Sequence, residues 1–130
     1  QLKEQHFTRQ DINEKRIYEF MMLIELNFYE ERKADFYANK LDLSTKRLNQ
    51  ILKEKLDKTA VQLIHDRIIL EAKRQIIHSE NTIKEIAYNL QFKDPSYFSR
   101  FFKLHTNQTP NEFQDKVTNH VITRDNTLYS

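Results

Sequence analysis

Twice in this chain, fifty residues apart, a short helix is written with its beginning and its inner face in the same places, and that repeat limits the possible folds more than any other feature. In Asp94-Pro95-Ser96-Tyr97-Phe98-Ser99-Arg100-Phe101-Phe102-Lys103-Leu104-His105, Asp94 is placed to accept from first-turn N–H groups and Pro95 suits the first helical position. At helical spacing Phe98, Phe101, Phe102 and His105 share one side, and Ser96, Ser99, Arg100 and Lys103 the other. Sliding the chain by fifty lays Leu48 on Phe98, Ile51 on Phe101, Leu52 on Phe102 and Lys53 on Lys103; sliding it by forty-nine lays Ala38 on Ala87 and Leu41 on Leu90. Helices this short are marginal alone, so each must dock on the one before it. The chain reads as two helix-turn-helix units that differ by one residue in the turn.

The remaining segments fit around these units. Residues 1–10 lack periodicity and read as a linker or flexible start. Asp11-Ile12-Asn13-Glu14 has the spacing of a capped helix start, followed by a broad apolar stripe of Ile17, Phe20, Met21, Ile24 and Phe28. A short helix is expected over 33–40, and Ser44 is expected to cap the next over 45–56, with Leu48, Ile51 and Leu52 inward and Lys46, Asn49, Gln50 and Lys53 outward. Thr59-Ala60-Val61-Gln62 opens a helix running to about His78, roughly 30 Å long. Thr82-Ile83-Lys84-Glu85 and Thr109-Pro110-Asn111-Glu112 are further capping boxes. The expected organisation is a first unit over 11–58, a linker helix over 59–78, a second unit over 79–117 and a disordered tail over 118–130.

Composition agrees with an all-α chain and narrows its chemistry. Gly is absent, Pro occurs twice and Cys is absent, which removes disulfides and thiolate metal sites. The five histidines, His6, His65, His78, His105 and His120, show no HxxxH or HExxH spacing; there is no Gly-rich phosphate loop and no nucleophile beside an evident base. No catalytic residue, metal site or cofactor is expected, and the chain is not read as an enzyme. No apolar run is long enough to suggest a membrane span. Charge is uneven: residues 33–105 hold fourteen basic and nine acidic side chains, whereas residues 1–32 hold five and seven. The positive excess lies where the two units lie. A start at Gln1 rather than Met suggests a piece of a longer protein.

Ile83-Lys84-Glu85-Ile86-Ala87-Tyr88-Asn89-Leu90-Gln91-Phe92-Lys93-Asp94-Pro95-Ser96-Tyr97-Phe98-Ser99-Arg100-Phe101-Phe102-Lys103, followed by Thr109-Pro110, resembles the C-terminal DNA-binding domain of the AraC/XylS family of bacterial transcription regulators. Phe36-Tyr37-Ala38, Leu48, Ile51-Leu52-Lys53 and Glu71-Ala72-Lys73 fall in step with it, so the likeness covers about Ile17 to Phe113. It implies about seven helices, two of which read double-stranded DNA in successive major grooves. Base reading would fall to Lys46, Asn49 and Gln50 in the first unit and to Ser96, Tyr97 and Arg100 in the second. Gln and Asn can pair two-fold with adenine, Arg and Lys with guanine. Arg47, Lys53, Ser99 and Lys103 would hold phosphates, which set register without reading sequence. Tyr97 lies at the edge between the two faces, open to packing or to DNA, and the first unit looks the better equipped.

The likeness also implies a bacterial cytoplasmic setting, RNA polymerase as a partner and a companion sensor or dimerisation domain. The sequence departs from the family pattern where glycine is usual: Asp57, Gln91 and Asn107 stand there. Asp and Asn tolerate a left-handed backbone cheaply, whereas Gln91 would be strained by roughly 1 kcal/mol. The competing reading is a helical protein–protein interaction module whose polar faces are merely solvated.

Overall fold

The structure, a computed structural model, describes the backbone of residues 8–129 and the side chains of residues 8–119. Among the described residues every element is a helix: α1 (Arg9–Asn27), α2 (Ala34–Lys40), α3 (Thr45–Leu56), α4 (Ala60–His78), α5 (Ile83–Asn89), α6 (Pro95–Thr106) and α7 (Pro110–Tyr129). The all-α expectation holds, with seven helices. Two compact units divide between Arg67 and Ile68, inside α4.

The elements begin where their caps dictate, with one correction. The Thr8 hydroxyl accepts from the Asp11 N–H at 3.0 Å, and the Asp11 carboxylate accepts from the Thr8 N–H at 3.1 Å. The cap of α1 is therefore Thr8, and Asp11 is the third residue of the helix rather than its start. Thr8…Asp11 and Asp11…Glu14 offer the same spacing, and the earlier one closes the end. The linker expected over 1–10 lies outside the described residues as far as residue 7. At the other end, the tail read as disordered over 118–130 is the far half of α7 as far as Tyr129.

The helix before each turn is closed by the same pair of bonds. After α2, Leu43 N–H reaches Ala38 C=O at 2.9 Å and Asp42 N–H reaches Asn39 C=O at 3.1 Å; after α5, Phe92 N–H reaches Ala87 C=O at 3.0 Å and Gln91 N–H reaches Tyr88 C=O at 2.9 Å. This is the Schellman closure, which demands a left-handed residue at its corner. Asp42 (φ 59°) and Gln91 (φ 63°) occupy the corners, and Asp57 (φ 57°) and Asn107 (φ 65°) end α3 and α6 in the same conformation. All three glycine-replacing positions singled out from sequence are left-handed. Asp42 is a fourth that the pattern did not flag.

In the first unit Phe20, Ile24 and Phe28 of α1, Tyr37 and Ala38 of α2, Leu48, Ile51 and Leu52 of α3 and Ile64 of α4 are buried. The Tyr37 ring meets Phe20 edge-on at 5.6 Å, and its hydroxyl donates to Glu31 C=O at 2.7 Å. Burial raises the phenol to about 12. In the second unit Ile68, Ala72, Ile76, Ile86, Ala87, Leu90, Phe98 and Phe102 are buried. Phe92 packs on both Phe98 (5.2 Å) and Phe101 (5.3 Å), and Phe102 meets Phe113 at 5.7 Å, so the first turn of α7 closes the unit.

Candidate nucleic-acid interface

Helix α3 is fixed at both ends. The Ser44 hydroxyl accepts from the Arg47 N–H at 3.0 Å, and the Asp57 N–H closes on Lys53 C=O at 3.0 Å. With Leu48, Ile51 and Leu52 buried, the opposite face carries exposed Lys46, Gln50 and Lys53, with Arg47 half-buried at its edge. Arg47 Nη1 lies 3.5 Å from Gln50 Oε1, and the Lys53 ammonium lies 3.6 Å from the Asp57 carboxylate. Those four side chains form one polar, mainly cationic strip.

Asn49 is engaged within its own unit. Its side-chain oxygen accepts from the Ala60 N–H at 2.8 Å. That N–H belongs to the first residue of α4 and has no partner within the helix. Two-fold pairing with adenine needs the oxygen and the amide NH2 together; as placed here, the Asn49 oxygen ties α3 to α4. Fifty residues on, Pro110 takes the place of Ala60 and has no N–H to satisfy, and Ser99 takes the place of Asn49. The second unit needs no such tie.

Helix α6 begins at Asp94, whose Oδ1 accepts from the Tyr97 N–H at 3.0 Å and the Ser96 hydroxyl at 2.6 Å. Those bonds, the Ser96 hydroxyl first, hold the exposed carboxyl below its usual range. Ser96 therefore presents its hydroxyl as an acceptor to anything beyond. The Arg100 guanidinium lies over the Tyr97 ring at 4.8 Å, and Lys93, the residue by which the second turn is longer, approaches the same ring at 5.9 Å. Tyr97 is 48 % exposed. It is a surface ring with the cations of Lys93 and Arg100 over it. Ser99 is half-buried, and Lys103 is exposed one turn beyond Arg100.

Each unit thus brings its expected residues, Asn49 apart, onto one outward strip of its second helix. Two residues that sequence reasoning missed lie beside the first strip: Arg9 and Asn13, from the opening turns of α1, line a groove with Arg47, Gln50 and Lys53. No periodicity signals this approach, because it joins segments nearly forty residues apart.

A family model described as a helix-turn-helix domain matches residues 37–116. The transcriptional activator RhaS of Yersinia pestis (strain Pestoides F) is 27 % identical over 107 residues, covering 82 % of this chain and 39 % of RhaS. The chain thus spans well under half the length of such curated relatives. A transcriptional regulator with an AraC-type DNA-binding domain from Chromobacterium violaceum shares the fold at TM-score 0.71 and 21 % identity, over 80 % of this chain and 93 % of that one. The DNA-binding domain of AdpA, solved with a target DNA, aligns at TM-score 0.67 and 15 % identity over 78 % and 90 %. With the match extending over well more than half its residues, and with the repeated turn and caps in place, the chain belongs to the AraC/XylS family as its helix-turn-helix DNA-binding domain.

Proposed function

We propose that this domain binds duplex DNA sequence-specifically for a bacterial transcription regulator, with α3 and α6 in successive major grooves. The observation that carries the reading is the duplicated outward strip: two helices of the same length, capped alike and closed by the same turn, each bury an apolar face and expose Lys, Arg, Gln or Ser on the other. A helix entering a major groove needs that division. Lys46 and Gln50 read bases in the first unit, and Ser96 and Arg100 in the second, with Tyr97 contacting the DNA while it holds Arg100. Arg47, Lys53, Ser99 and Lys103 engage phosphates. Asn49 stands in the reading helix as a structural tie.

The nineteen residues of α4 give about 28 Å of helix, commensurate with the roughly 34 Å repeat of the major groove. The roles of relatives, activation for RhaS and a target-DNA complex for AdpA, support the same reading. RNA polymerase, a companion sensor or dimerisation domain and the bacterial cytoplasm follow from it as partners and setting. A module that binds only protein is not favoured, since it gives no reason for two matching cationic strips.

The test is selection of bound duplexes from a random pool, then affinity for the selected site across salt concentrations. The expected outcome is an asymmetric site with two read segments about one helical turn apart and a steep fall of affinity with salt. Failure to bind any duplex at low salt would sink the proposal.

A further inference from the structure

We propose that the opening turns of α1 carry a DNA-phosphate site: Arg9, with Arg47 and Lys53 of α3, holds a backbone phosphate at the flank of the groove that α3 enters. This rests on the reading of α3 as a DNA-reading helix. The groove that these three cations share is also lined by Asn13, Gln50 and Glu54. Three positive charges thus face one carboxylate at the edge of the strip that would meet bases.

The placement is built. Ile17 of α1 and Ile51 of α3 line the adjoining cleft, together with Glu14 and Lys55, and the Lys55 ammonium binds the Glu14 carboxylate at 2.8 Å. That half-exposed bond joins the first turns of α1 to α3. Arg9 and Asn13 are one turn apart on the same face of α1, so both come to the groove. The side chains, not the helix end, make the site, because the Thr8–Asp11 capping box already occupies first-turn donors. A guanidinium and an amide NH2 are donors suited to phosphate oxygens, and such contacts position a protein without reading sequence.

The experiment measures affinity against salt for the whole chain, on the selected duplex and on an unrelated one, with wild type, Arg9→Ala, Arg9→Gln, Arg9→Lys and Gln50→Ala. Loss of a whole phosphate contact lowers the slope of log affinity against log salt by about 0.9, which is the upper limit for losing one of three cations on that phosphate. Arg9→Ala and Arg9→Gln should both show a drop within that limit and bind several-fold more weakly on both duplexes, with the ranking of sequences unchanged. Arg9→Lys should restore most of the slope. Ethylation of one phosphate flanking the first read segment should weaken wild type more than Arg9→Ala, in which only Arg47 and Lys53 remain on that phosphate. Unfolding midpoints should not move, since Arg9 is exposed. Wild-type slopes for both neutral variants, with Gln50→Ala still changing sequence preference, would overturn the phosphate site and leave the reading helix standing. Indifference of the Gln50 variant as well would overturn α3 as a reader and the site with it. A changed base preference in the Arg9 variants would overturn it as a phosphate contact.

Discussion

At single residues, side chains of the same type do different work according to what stands opposite them. Asn49 and Gln50 are neighbours on α3, yet one is bound to the Ala60 N–H at 2.8 Å and the other is exposed. Asn49→Ala should cost about 1–2 kcal/mol in urea unfolding, because it leaves a part-buried N–H without its acceptor, while the sequence preference in a binding selection stays the same. Gln50→Ala should do the reverse, shifting preference with stability held within about 0.5 kcal/mol. Gln91 sits at φ 63° without the local hydrogen bonding that eases Asp or Asn there. Gln91→Gly should therefore raise stability by about 1 kcal/mol. Tyr37 sets an alkaline limit: its phenol is raised to about 12 by burial, against about 10 when unfolded. Between those values the unfolded chain releases a proton that the folded chain retains, so stability falls as pH rises. Denaturant midpoints measured from pH 9 to 12 should show that fall, and a Tyr37→Phe variant should lack the part due to this group.

The elements of this fold are defined by their ends. Thr8, Thr82 and Thr109 each exchange bonds with the acid three residues on, and Ser44 and Asp94 accept from the third residue of α3 and α6. Asp94→Ala should cost about 1 kcal/mol and loosen α6 more than α3, as amide exchange in the two helices would report. The carboxyls of Asp11, Asp94 and Glu112 are all held low by cap hydrogen bonds. Their contribution is present above the ordinary carboxylate range and is lost as pH falls through their depressed values. Within α6, Phe98 and Phe102 are fully buried. Phe98→Ala should cost about 3–5 kcal/mol, enough to unfold the second unit before the first.

On the scale of the whole chain, each half of α4 belongs to a different unit: Ile64 lies in the first core and Ile68 and Ala72 in the second. One alanine inserted between Arg67 and Ile68 would leave each half with its own unit while adding about 100° of turn between them. Under the tandem reading, selection with that variant should return a site with a single read segment. Recovery of the two-segment site would argue against α4 as the element that phases the two reading helices.

The sequence alone determined most of the helices and their caps, the two turns and the inner faces, because each rests on interactions among residues no more than about five apart; the Thr8 cap of α1 and the far half of α7 escaped it. Leu48, Ile51 and Leu52 can be assigned inward from spacing without knowledge of any neighbour in space, and the likeness to the family singles out Asp57, Gln91 and Asn107 as places where the backbone turns left-handed. Ser44 and Asp94 could be named as caps from spacing too. Tertiary structure decided what those faces meet. The acceptor role of Asn49 depends on Ala60 returning to it, eleven residues later, and the approach of Arg9 to Arg47 and Lys53 depends on α1 lying along α3. A periodic pattern reports which side of a helix points outward, but a hydrogen bond or charge cluster between distant segments exists only once packing has set their distance.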